Sequence, residues 1–373
     1  MERFLSYDRI ISYHRNKLDV SPFPEDKLNM AYGDNKYQQF LIHLNQTDLE
    51  MIKKVIKEID NQLQSGDEVY KYSIKHPELL DKLFFFLQYM NPNNKQDADI
   101  IRILSSQCFK QFCLVLRSKE HLNSNQFIKD IHNTFLDEKE EVRINVYQAL
   151  IYYSQSRYGI DNLLENQILQ QIIKMINEEK SNRVLNLILI LTNEILNSEG
   201  APQIALKVNL IENLKKYLNS EDLTLRHVVL INYGSISFCE EGKKMCVEEG
   251  SLIKMILKFL KLENYSKGSD KNALLKILVA STRFLNNVSI LKRGKVEIFE
   301  EKGLDLCFDL IKNFDDEQLY LNIFGIIGNV SEEPRARKNM INIWEHLECF
   351  VSHENPLIAE QAQITKDIIK WKP

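Results

Sequence analysis

Apolar residues recur at helical spacing along most of this chain, and the pattern is clearest between residues 210 and 237. A first apolar stripe and a second one flank a polar corner at 219–222. The first stripe consists of Leu210, Ile211, Leu214 and Leu218, and the second of Leu225, Val228, Val229, Ile231 and Ile236. Such spacing predicts two amphipathic helices, and Ser220 or Asp222 is placed to cap the second. Two helices of this length cannot bury both apolar faces alone, so the pair predicts one unit of a stacked array.

The two-stripe pattern repeats at a nearly constant interval. The first stripes begin at Phe127, Ile168, Leu210, Leu252 and Leu304, which are 41, 42, 42 and 52 residues apart. Equivalent points in the second stripes are 41, 42, 52 and 42 residues apart and fall at Tyr152, Asn193, Ser235, Asn287 and Asn329. Because two separately chosen features give one period, the chain is predicted to contain armadillo or HEAT repeats, whose period is roughly 40–47 residues.

The joint before several first stripes favours armadillo over HEAT repeats. A short helical segment ends at an acidic residue and a glycine, as at Glu199-Gly200, 248–251 and 301–303. This resembles the armadillo family, in which a short first helix, a leucine-rich second helix and a third helix follow one another. Gly250 and Gly303 are expected to supply the positive φ of a sharp turn between helices. The resemblance implies an all-α fold, an armadillo-repeat right-handed α-solenoid of about seven to eight repeats. The joint is weak in the early repeats, which are expected to be degenerate before about residue 160.

Two segments depart from the repeat. Residues 1–35 are predicted to form an N-terminal extended arm with a short helix, because Ser21-Pro-Phe-Pro24 disfavours a continuous helix. The arm either packs on the first repeat or reaches a partner, and the pattern leaves both open. Residues 36–373 are predicted to form the solenoid. The single long interval contains a polar stretch at 261–272, which predicts a surface loop insertion.

Composition narrows the classes of function. The chain has 373 residues, 48 basic and 52 acidic side chains and a formal net charge of −4, so it has no overall positive field to bind nucleic acid. The longest apolar stretch, 185–196, is shorter than the roughly 18 residues that a membrane span needs. The amino terminus lacks the pattern of a secretory signal. Six cysteines, none in a CxxC pair, indicate buried thiols in a reducing compartment.

Motifs of catalysis are missing from the sequence. It contains no GxxxxGK[ST], GxGxxG, HExxH or GxSxG, and its eight histidines are scattered singly. Carboxylates lie in helix corners and on polar helix faces, where caps and solvated surfaces use them. The prediction is therefore that the chain is not an enzyme and takes no cofactor, metal or small-molecule substrate.

The predicted third helices carry the candidate binding residues, because these helices line the concave surface in armadillo arrays. Polar residues recur there in register, and the partner-binding candidates are Asn145, Tyr152, Asn186, Asn193, Arg283, Asn287, Asn322 and Asn329. Amides at regular intervals can bind the backbone of a long ligand. The alternative is that they tie adjacent repeats together. In the nuclear-import adaptors of the family, Trp precedes each such Asn by four residues, whereas here Leu189, Arg283 and Gly325 do. The arm also lacks the basic run of those adaptors, so a nuclear-import role is rejected.

Three stretches resemble the radial spoke protein 14 family, armadillo proteins of motile cilia. The segment PEDKLNMAYGDNKYQQFLIHL at 24–44 keeps Pro24, Lys27, Ala31, Tyr32 and Gly33 of that family's pattern. The other two stretches are EVYKY at 68–72 and the terminal IIKWKP at 368–373. One extra residue precedes Lys27, and the arm and the loop at 261–272 depart from the family.

The resemblance implies a structural, non-catalytic scaffold subunit of the axonemal radial spoke that supports ciliary motility. Its partners would be other radial spoke subunits, including the elongated spoke scaffold protein, with no nucleic acid, membrane or small-molecule substrate among them. It would reside in the axoneme of a cilium or flagellum, and in the cytoplasm before assembly. The alternative is a soluble cytosolic armadillo adaptor that reversibly binds extended peptides in its concave groove.

Overall fold

A computed structural model describes residues 35–124, 127–265, 270–340 and 344–371 of the chain. These ranges contain α-helices and short 3-10 turns and no β-strand. The chain divides into two compact units, Met1–Gln171 and Ile172–Pro373. Of the predicted arm at 1–35, residues 1–34 lie outside the described ranges.

Unit 1 contains nine described helices ahead of the boundary. They are α1 (Asn35–Leu44), α2 (Leu49–Gln62), α3 (Gly66–Lys75), α4 (Pro77–Leu87), α5 (Lys95–Leu114), α6 (Leu116–Ser124), α7 (Phe127–Asp130), α8 (Glu140–Ser154) and α9 (Arg157–Glu165). The boundary between the units falls inside α10 (Ile168–Glu178).

The remaining described helices belong to unit 2. They are α11 (Asn182–Leu196), α12 (Ala201–Lys207), α13 (Leu210–Lys215), α14 (Leu223–Ile236), α15 (Glu240–Glu248), α16 (Leu252–Leu257), α17 (Lys271–Val288), α18 (Lys292–Glu300), α19 (Gly303–Asn313), α20 (Glu317–Ser331), α21 (Pro334–Met340), α22 (Trp344–Val351) and α23 (Pro356–Lys370).

The helices follow one another as triplets of a first, a second and a third helix, and the third helices hold each unit together. In unit 1, α2 packs on α5 and α5 on α8. In unit 2, the third helices α11, α14, α17, α20 and α23 pack in sequence, each on the next. The pattern of apolar stripes at a period near 42 therefore predicted the fold class correctly, since neighbouring triplets bury the faces that one triplet leaves open.

The segment 210–237 shows how the sequence builds one triplet. Helix α14 begins after Asp222, whose carboxylate accepts hydrogen bonds from the backbone N–H groups of Thr224 (2.9 Å) and Leu225 (3.2 Å). This is the capping role predicted from the sequence. Leu210, Leu214, Leu218, Val229 and Ile236 are fully buried. Burial of each such side chain stabilises the fold by roughly 1.5–3 kcal/mol.

The early repeats are irregular, as expected. The second helix of one unit 1 triplet, α7, has only four residues and continues as a 3-10 turn at Ile131–Thr134.

The long interval in unit 2 also contains 3-10 turns. After α16, the chain forms 3-10 turns at Lys258–Leu260 and Leu262–Asn264, and Asp270 then caps α17 through the N–H of Asn272. Lys271 and Asn272 thus belong to α17 and not to the predicted loop insertion 261–272.

The prediction about the glycine joints is wrong. Neither Gly250 nor Gly303 has a positive φ, and the left-handed residues are Gln167 (φ 59°), Asn209 (59°) and Lys302 (58°), each directly before a second helix. Gly200 does have a positive φ of 79°, but it lies between the third helix α11 and the first helix α12. At these three joints the left-handed conformation is therefore taken by the residue directly before the second helix, and only at Lys302 is the next residue a glycine.

Gly303 is required for another reason. It is buried at the start of α19, and a Cβ atom there would lie 2.7 Å from Ile298 Cγ2, 2.9 Å from the Ile298 carbonyl oxygen and 2.9 Å from Leu257 Cδ2. At Gly250 the nearest atom to an added Cβ, the carbonyl oxygen of Glu248, is 3.9 Å away. One glycine permits close packing of helices, and the other borders open space.

A buried ionic cluster joins α5 to the corner before α8 in unit 1. Arg102, only 3% exposed, donates to Asp137 Oδ2 (2.6 Å), Asp99 Oδ1 (2.7 Å) and the Tyr89 carbonyl oxygen (3.0 Å). Lys139 Nζ lies 2.8 Å from Asp99 Oδ2. Burial alone would raise the pKa of Asp99, but hydrogen bonds from Lys139 and Arg102 outweigh it and hold that pKa below its usual value.

We expect Gly303→Val to destabilise unit 2, because the new side chain overlaps Ile298 and Leu257. The expected cost is about 1–3 kcal/mol, measured by thermal unfolding followed by circular dichroism. Gly250→Val is the matched control and should change the melting temperature little. Equal melting temperatures for the two variants would contradict the packing explanation.

We expect Asp99→Asn to lower the melting temperature at pH 7 and to match the wild type in acid. The pKa of Asp99 is depressed in the folded state, so its stabilisation is present above the ordinary Asp pKa of about 3.9 and is lost as the pH falls through the lower, folded-state value. The measurement is the melting temperature as a function of pH. Asp161→Asn, at an exposed site on α9, is the control. A deficit of Asp99→Asn that persists in strong acid would contradict this linkage.

Candidate partner-binding surface

The amides predicted to contact a partner form hydrogen bonds between neighbouring third helices. Asn287 on α17 donates from Nδ2 to the Gly234 carbonyl oxygen of α14 (2.9 Å) and to Ser237 Oγ (3.1 Å). Since Nδ2 carries two hydrogens, both are already engaged within the protein. This is the arrangement that the alternative interpretation of the amides predicted.

Two asparagines of α20 form hydrogen bonds of the same kind with the preceding third helix. Asn322, 5% exposed, donates to the Val279 carbonyl oxygen (3.1 Å) and to Thr282 Oγ1 (3.2 Å) of α17. Seven residues further along α20, Asn329 donates to Ser289 Oγ (2.9 Å) and Asn286 Oδ1 (3.3 Å).

Two more of the predicted amides bond to the neighbouring third helix. In unit 1, Asn145 of α8 donates to Ser106 Oγ of α5 (2.9 Å), and its Oδ1 accepts from Lys110 Nζ (3.3 Å). In unit 2, Asn193 Oδ1 accepts from Ser235 Oγ at 2.8 Å, which joins α11 to α14.

The remaining predicted residues have different surroundings. Tyr152 is half-buried, and its carbonyl oxygen accepts a hydrogen bond from Lys119 Nζ. Asn186 is half-buried on α11, and its Oδ1 is buried without a hydrogen-bond partner among the described residues. Arg283 is exposed on α17. Binding of a partner by any of the eight candidates stays a prediction.

The sequence analysis missed the most deeply buried amide of the series. Asn232 on α14 is fully buried, and its Nδ2 donates to the Leu189 carbonyl oxygen of α11 (2.9 Å) and to the Val228 carbonyl oxygen of its own helix (2.9 Å). Thr365 of α23 similarly donates to the Phe324 carbonyl oxygen of α20 (3.1 Å). Neither residue falls in the columns of Asn that the repeat register aligns. The available signal was a polar side chain inside an otherwise apolar third helix.

Small residues between these helices leave room for longer neighbouring side chains. A Cβ atom at Gly234 of α14 would lie 3.4 Å from Cδ of Arg283, so the stem of Arg283 extends over this glycine. A Cβ at Gly325 of α20 would lie 2.4 Å from Asn286 Oδ1. These two glycines therefore set how closely α17 approaches the helices on either side.

Exposed side chains on α14 and α17, and just beyond the carboxyl ends of both helices, form two stripes with a spacing of seven residues. One stripe contains Thr224, Ile231 and Phe238, and the other contains Lys276, Arg283 and Ile290. All six are exposed apart from the half-buried Ile231. We call these residues the third-helix face of unit 2. Since seven residues make about two helical turns, each stripe follows one side of its helix.

Two titratable side chains on these third helices have shifted pKa values. Burial and the nearby charge of Lys276 lower the pKa of His227, which is half-buried on α14. On α11, burial raises the pKa of Glu194, which lies one residue after Asn193.

Unit 1 contains a separate apolar groove between its second helices α4 and α7. It has a volume of about 650 Å³ and is lined by Asp81, Phe84, Phe85, Gln88, Tyr89, Met90, Phe127 and Asp130. Phe84 and Phe127 stack with ring centroids 3.7 Å apart at its base. Phe85 and Met90 are 58% and 72% exposed. Two large apolar side chains thus lie largely in solvent beside a stacked aromatic pair.

Potential metal-ligating side chains are dispersed among the described residues. These residues contain no cluster of three or more His, Cys, Asp or Glu side chains suited to a metal ion. Cys108, Cys113, Cys246 and Cys307 are buried free thiols, whereas Cys349 is exposed. Burial raises the pKa of the Cys307 thiol to about 12. Within the same ranges, none of the helices combines the length and apolarity needed to cross a bilayer.

We expect the double substitution Asn287→Ala and Asn329→Ala to destabilise unit 2, because each removes hydrogen bonds between third helices. The expected loss is about 1 kcal/mol per site, read as a lower melting temperature. Asn219→Ala with Asn272→Ala, both at exposed corner or helix-start positions, is the matched control. An unchanged melting temperature in the first variant would show that these amides do not hold the helices together.

No protein-family profile matches the chain, and no curated protein matches it. Several solved structures are similar to the chain in fold. An engineered protein solved by a structural-genomics consortium is 14% identical, with a TM-score of 0.68 over 98% of this chain and 96% of that one. A designed armadillo repeat protein is 15% identical, with a TM-score of 0.55 over 65% of this chain and 99% of that one.

A second designed armadillo repeat protein, in complex with the peptide (KR)4, is 14% identical, with a TM-score of 0.55 over 65% of this chain and 99% of its own. At such identities the similarity concerns the fold alone. The chain thus has the all-α armadillo-type solenoid fold that its period predicted.

Proposed function

We propose that this chain is a non-catalytic scaffold that binds other proteins through its helical surfaces, and that it serves as a subunit of the radial spoke in the ciliary axoneme. The general part is supported by the fold, since a designed neighbour was solved in complex with a peptide and others were designed for modular peptide recognition. Arrays of stacked repeats provide extended binding surfaces. The specific part is supported by the sequence resemblance.

The observation that carries the general proposal is the exposed apolar groove of unit 1. Phe85 and Met90 leave most of their surface in solvent beside the stacked pair Phe84 and Phe127. Burying such a surface against a partner gains about 25 cal/mol for each Å² of apolar area. Large apolar contacts of this kind are typical of permanent complexes, as a scaffold subunit requires.

Contacts between two of the resembling stretches support the specific proposal. Tyr37 belongs to the segment 24–44, and its hydroxyl donates to Glu68 Oε2 (2.9 Å) in the stretch 68–72. Its ring also packs edge-on against Tyr72, with centroids 5.0 Å apart. The described parts of these stretches therefore form one packed cluster in unit 1, although residues 24–34 lie outside the described ranges.

The third resembling stretch contains an exposed tryptophan. Trp371 is 59% exposed, its carbonyl oxygen accepts from Arg337 Nη1 (2.8 Å), and the guanidinium lies 4.8 Å from its ring centroid. Trp and Arg are both enriched among the residues that dominate binding energy at interfaces.

Fractionation of ciliated cells tests the specific proposal. We expect the protein to stay with detergent-extracted axonemes and to leave only with other spoke subunits or in high salt. Release with the soluble cytosol would favour the alternative, an adaptor that reversibly binds extended peptides in its concave groove. Affinity purification followed by mass spectrometry then identifies the partners.

Variants in the groove test the general proposal. Phe85→Ser with Met90→Ser should reduce recovery of co-purifying proteins about tenfold or more, because truncated apolar anchors cost 2 kcal/mol or more each. The control is Tyr158→Ser with Ile290→Ser, two other side chains that are 63% and 53% exposed. Equal recovery by both double variants would remove the groove from the proposal.

A further inference from the structure

Helix α23, the final described third helix of unit 2, has a row of exposed apolar side chains. Leu357 is 63% exposed, Ile364 is 44% exposed and Trp371 is 59% exposed. The first two lie on α23, and Trp371 directly follows its last residue. We call these three residues the α23 stripe. Residues seven apart in a helix lie on one side of it and are roughly 10 Å apart along its axis, so the stripe forms one continuous line.

The α23 stripe borders the contact between α23 and α20. Ile368 of α23 faces that neighbour, because a Cβ atom at Gly328 of α20 would lie only 3.5 Å from Ile368 Cδ1. Ile364 lies four residues before Ile368, so the two side chains are neighbours on the surface of α23. A ligand that covers the stripe therefore also meets the edge of α20.

The spacing of the stripe fits a second helix better than an extended segment. With the half-buried Gln361 and Ile368, the stripe positions follow one another at intervals of four, three, four and three residues, as in the seam of a coiled coil. A partner helix presents its own apolar residues at the same repeat of roughly 10 Å. Side chains on one side of an extended segment repeat at about 6.6–6.8 Å, which does not match the stripe.

Arg337 fixes the position of Trp371. Its Nη1 donates to the Trp371 carbonyl oxygen (2.8 Å), and its guanidinium lies 4.8 Å from the ring centroid. The same guanidinium donates to the Ser331 carbonyl oxygen (3.0 Å) and to the Glu332 carbonyl oxygen (3.1 Å) at the end of α20. Because the indole is held against α20 in this way, binding a ligand costs less side-chain freedom there.

Carboxylates lie along the stripe. Glu360 and Asp367 are exposed, and each follows a stripe residue, Leu357 or Ile364, by three positions. Asp367 accepts a hydrogen bond from Gln363 Nε2 (2.8 Å), a neutral group that leaves its charge in place. Neither carboxylate forms an ion pair with another described residue.

The lysines of α23 are already engaged. Lys366 is 4% exposed and forms an ion pair with Glu348, and Lys370 has an interaction within the protein. Near the start of α23, the exposed Glu317 of α20 accepts a hydrogen bond from Nδ2 of Asn355, which caps α23 (2.8 Å). Exposed carboxylates therefore set the sign of the charge beside the stripe.

The same carboxylates disfavour a second copy of this chain as the occupant. Two α23 helices paired antiparallel about a two-fold axis would place the edge with Glu360 and Asp367 of one copy against the same edge of the other. Like charges that meet at an interface oppose association. A partner helix with basic residues on the facing edge matches these carboxylates instead.

From this arrangement we infer that the α23 stripe binds an amphipathic helix of a partner protein, whose apolar residues cover Leu357, Ile364 and Trp371 and whose Lys or Arg side chains meet Glu360 and Asp367. The inference rests on the proposed protein-binding function and names the chemistry of one partner. Long basic side chains suit this edge, because their aliphatic stems cover apolar surface while their charged ends reach the carboxylates. Recognition of a helix through apolar residues at such spacing is a recurring mode of peptide binding.

Fluorescence anisotropy with three synthetic peptides tests the inference on the full chain. The first is a labelled helical peptide of about three heptads, with Leu at its a and d positions and Lys on both edges. The second has every Lys replaced by Glu, and the third has the composition of the first in scrambled order. We expect the first to bind at least about tenfold more tightly than either of the others. Equal affinity for the first and third peptides, or tighter binding of the second, would overturn the inference.

Substitutions in the stripe locate the site. Leu357→Ser with Ile364→Ser should weaken binding of the first peptide about tenfold or more, because two apolar anchors are lost. The matched control is Phe238→Ser with Ile290→Ser, which changes two side chains that are 77% and 53% exposed just beyond the ends of α14 and α17. The control should bind the peptide as the wild type does. Equal weakening by both double variants would overturn the site.

Removal of charge tests the carboxylate edge separately. Glu360→Gln with Asp367→Asn should weaken the first peptide and reduce the salt dependence of its binding, since two opposite charges are lost. Glu221→Gln with Asp305→Asn, at exposed positions elsewhere in unit 2, makes the same change in net charge and should leave both quantities unchanged. An equal effect of the two double variants would assign the preference to net charge and contradict the inference.

Folding, self-association and partner capture separate the possible failures. Circular dichroism of each variant shows whether the helices are retained, as expected for exposed side chains. A dimer of the wild type in light scattering that is lost in Leu357→Ser with Ile364→Ser would assign the stripe to a second copy and overturn the inference. If no peptide binds but axonemal proteins still co-purify, the stripe inference fails and the scaffold proposal stands. If the first peptide binds and no cellular protein is captured, the scaffold proposal fails while the preference of the stripe stands.

Discussion

Packing of third helices against one another is the interaction on which each unit depends. Their apolar side chains are buried between neighbours, as with Tyr233 and Phe284, whose ring centroids lie 5.9 Å apart. Side-chain amides then bond across the same contacts to backbone carbonyl oxygens, whose second lone pair is available within a helix. Asn232 is fully buried in this way. If one helix shifted along its neighbour, these polar groups would be left without hydrogen-bond partners in an apolar interior. The bonds therefore fix the register of the helices as well as stabilise their contact.

That register also decides what reaches solvent. With Asn287 held against Gly234, two neighbouring side chains are exposed: Arg283, four residues earlier on α17, and Ile290, just beyond the end of that helix. The amides are therefore part of the framework that fixes which side chains of the third-helix face are exposed. The sequence groups these polar side chains as one surface. In the structure, some of them bond to a neighbouring helix and others are exposed to solvent.

The chain presents two chemically different surfaces on one kind of scaffold. Unit 1 has an aromatic groove between second helices, suited to a permanent apolar contact. Unit 2 has two exposed basic side chains, Lys276 and Arg283, on a third helix.

The amino-acid sequence by itself determined the helical class, the period near 42 residues, a cap at Ser220 or Asp222 and the irregular early repeats. These follow from local spacing of apolar residues and from caps that act within a few residues. The tertiary structure alone decided that Gly303 serves packing, that Lys302 takes the left-handed turn, and that Asn287 faces a neighbouring helix. Those outcomes depend on the rotation and the distance between helices that are about 42 residues apart in the chain. Side chains of both helices together set this geometry.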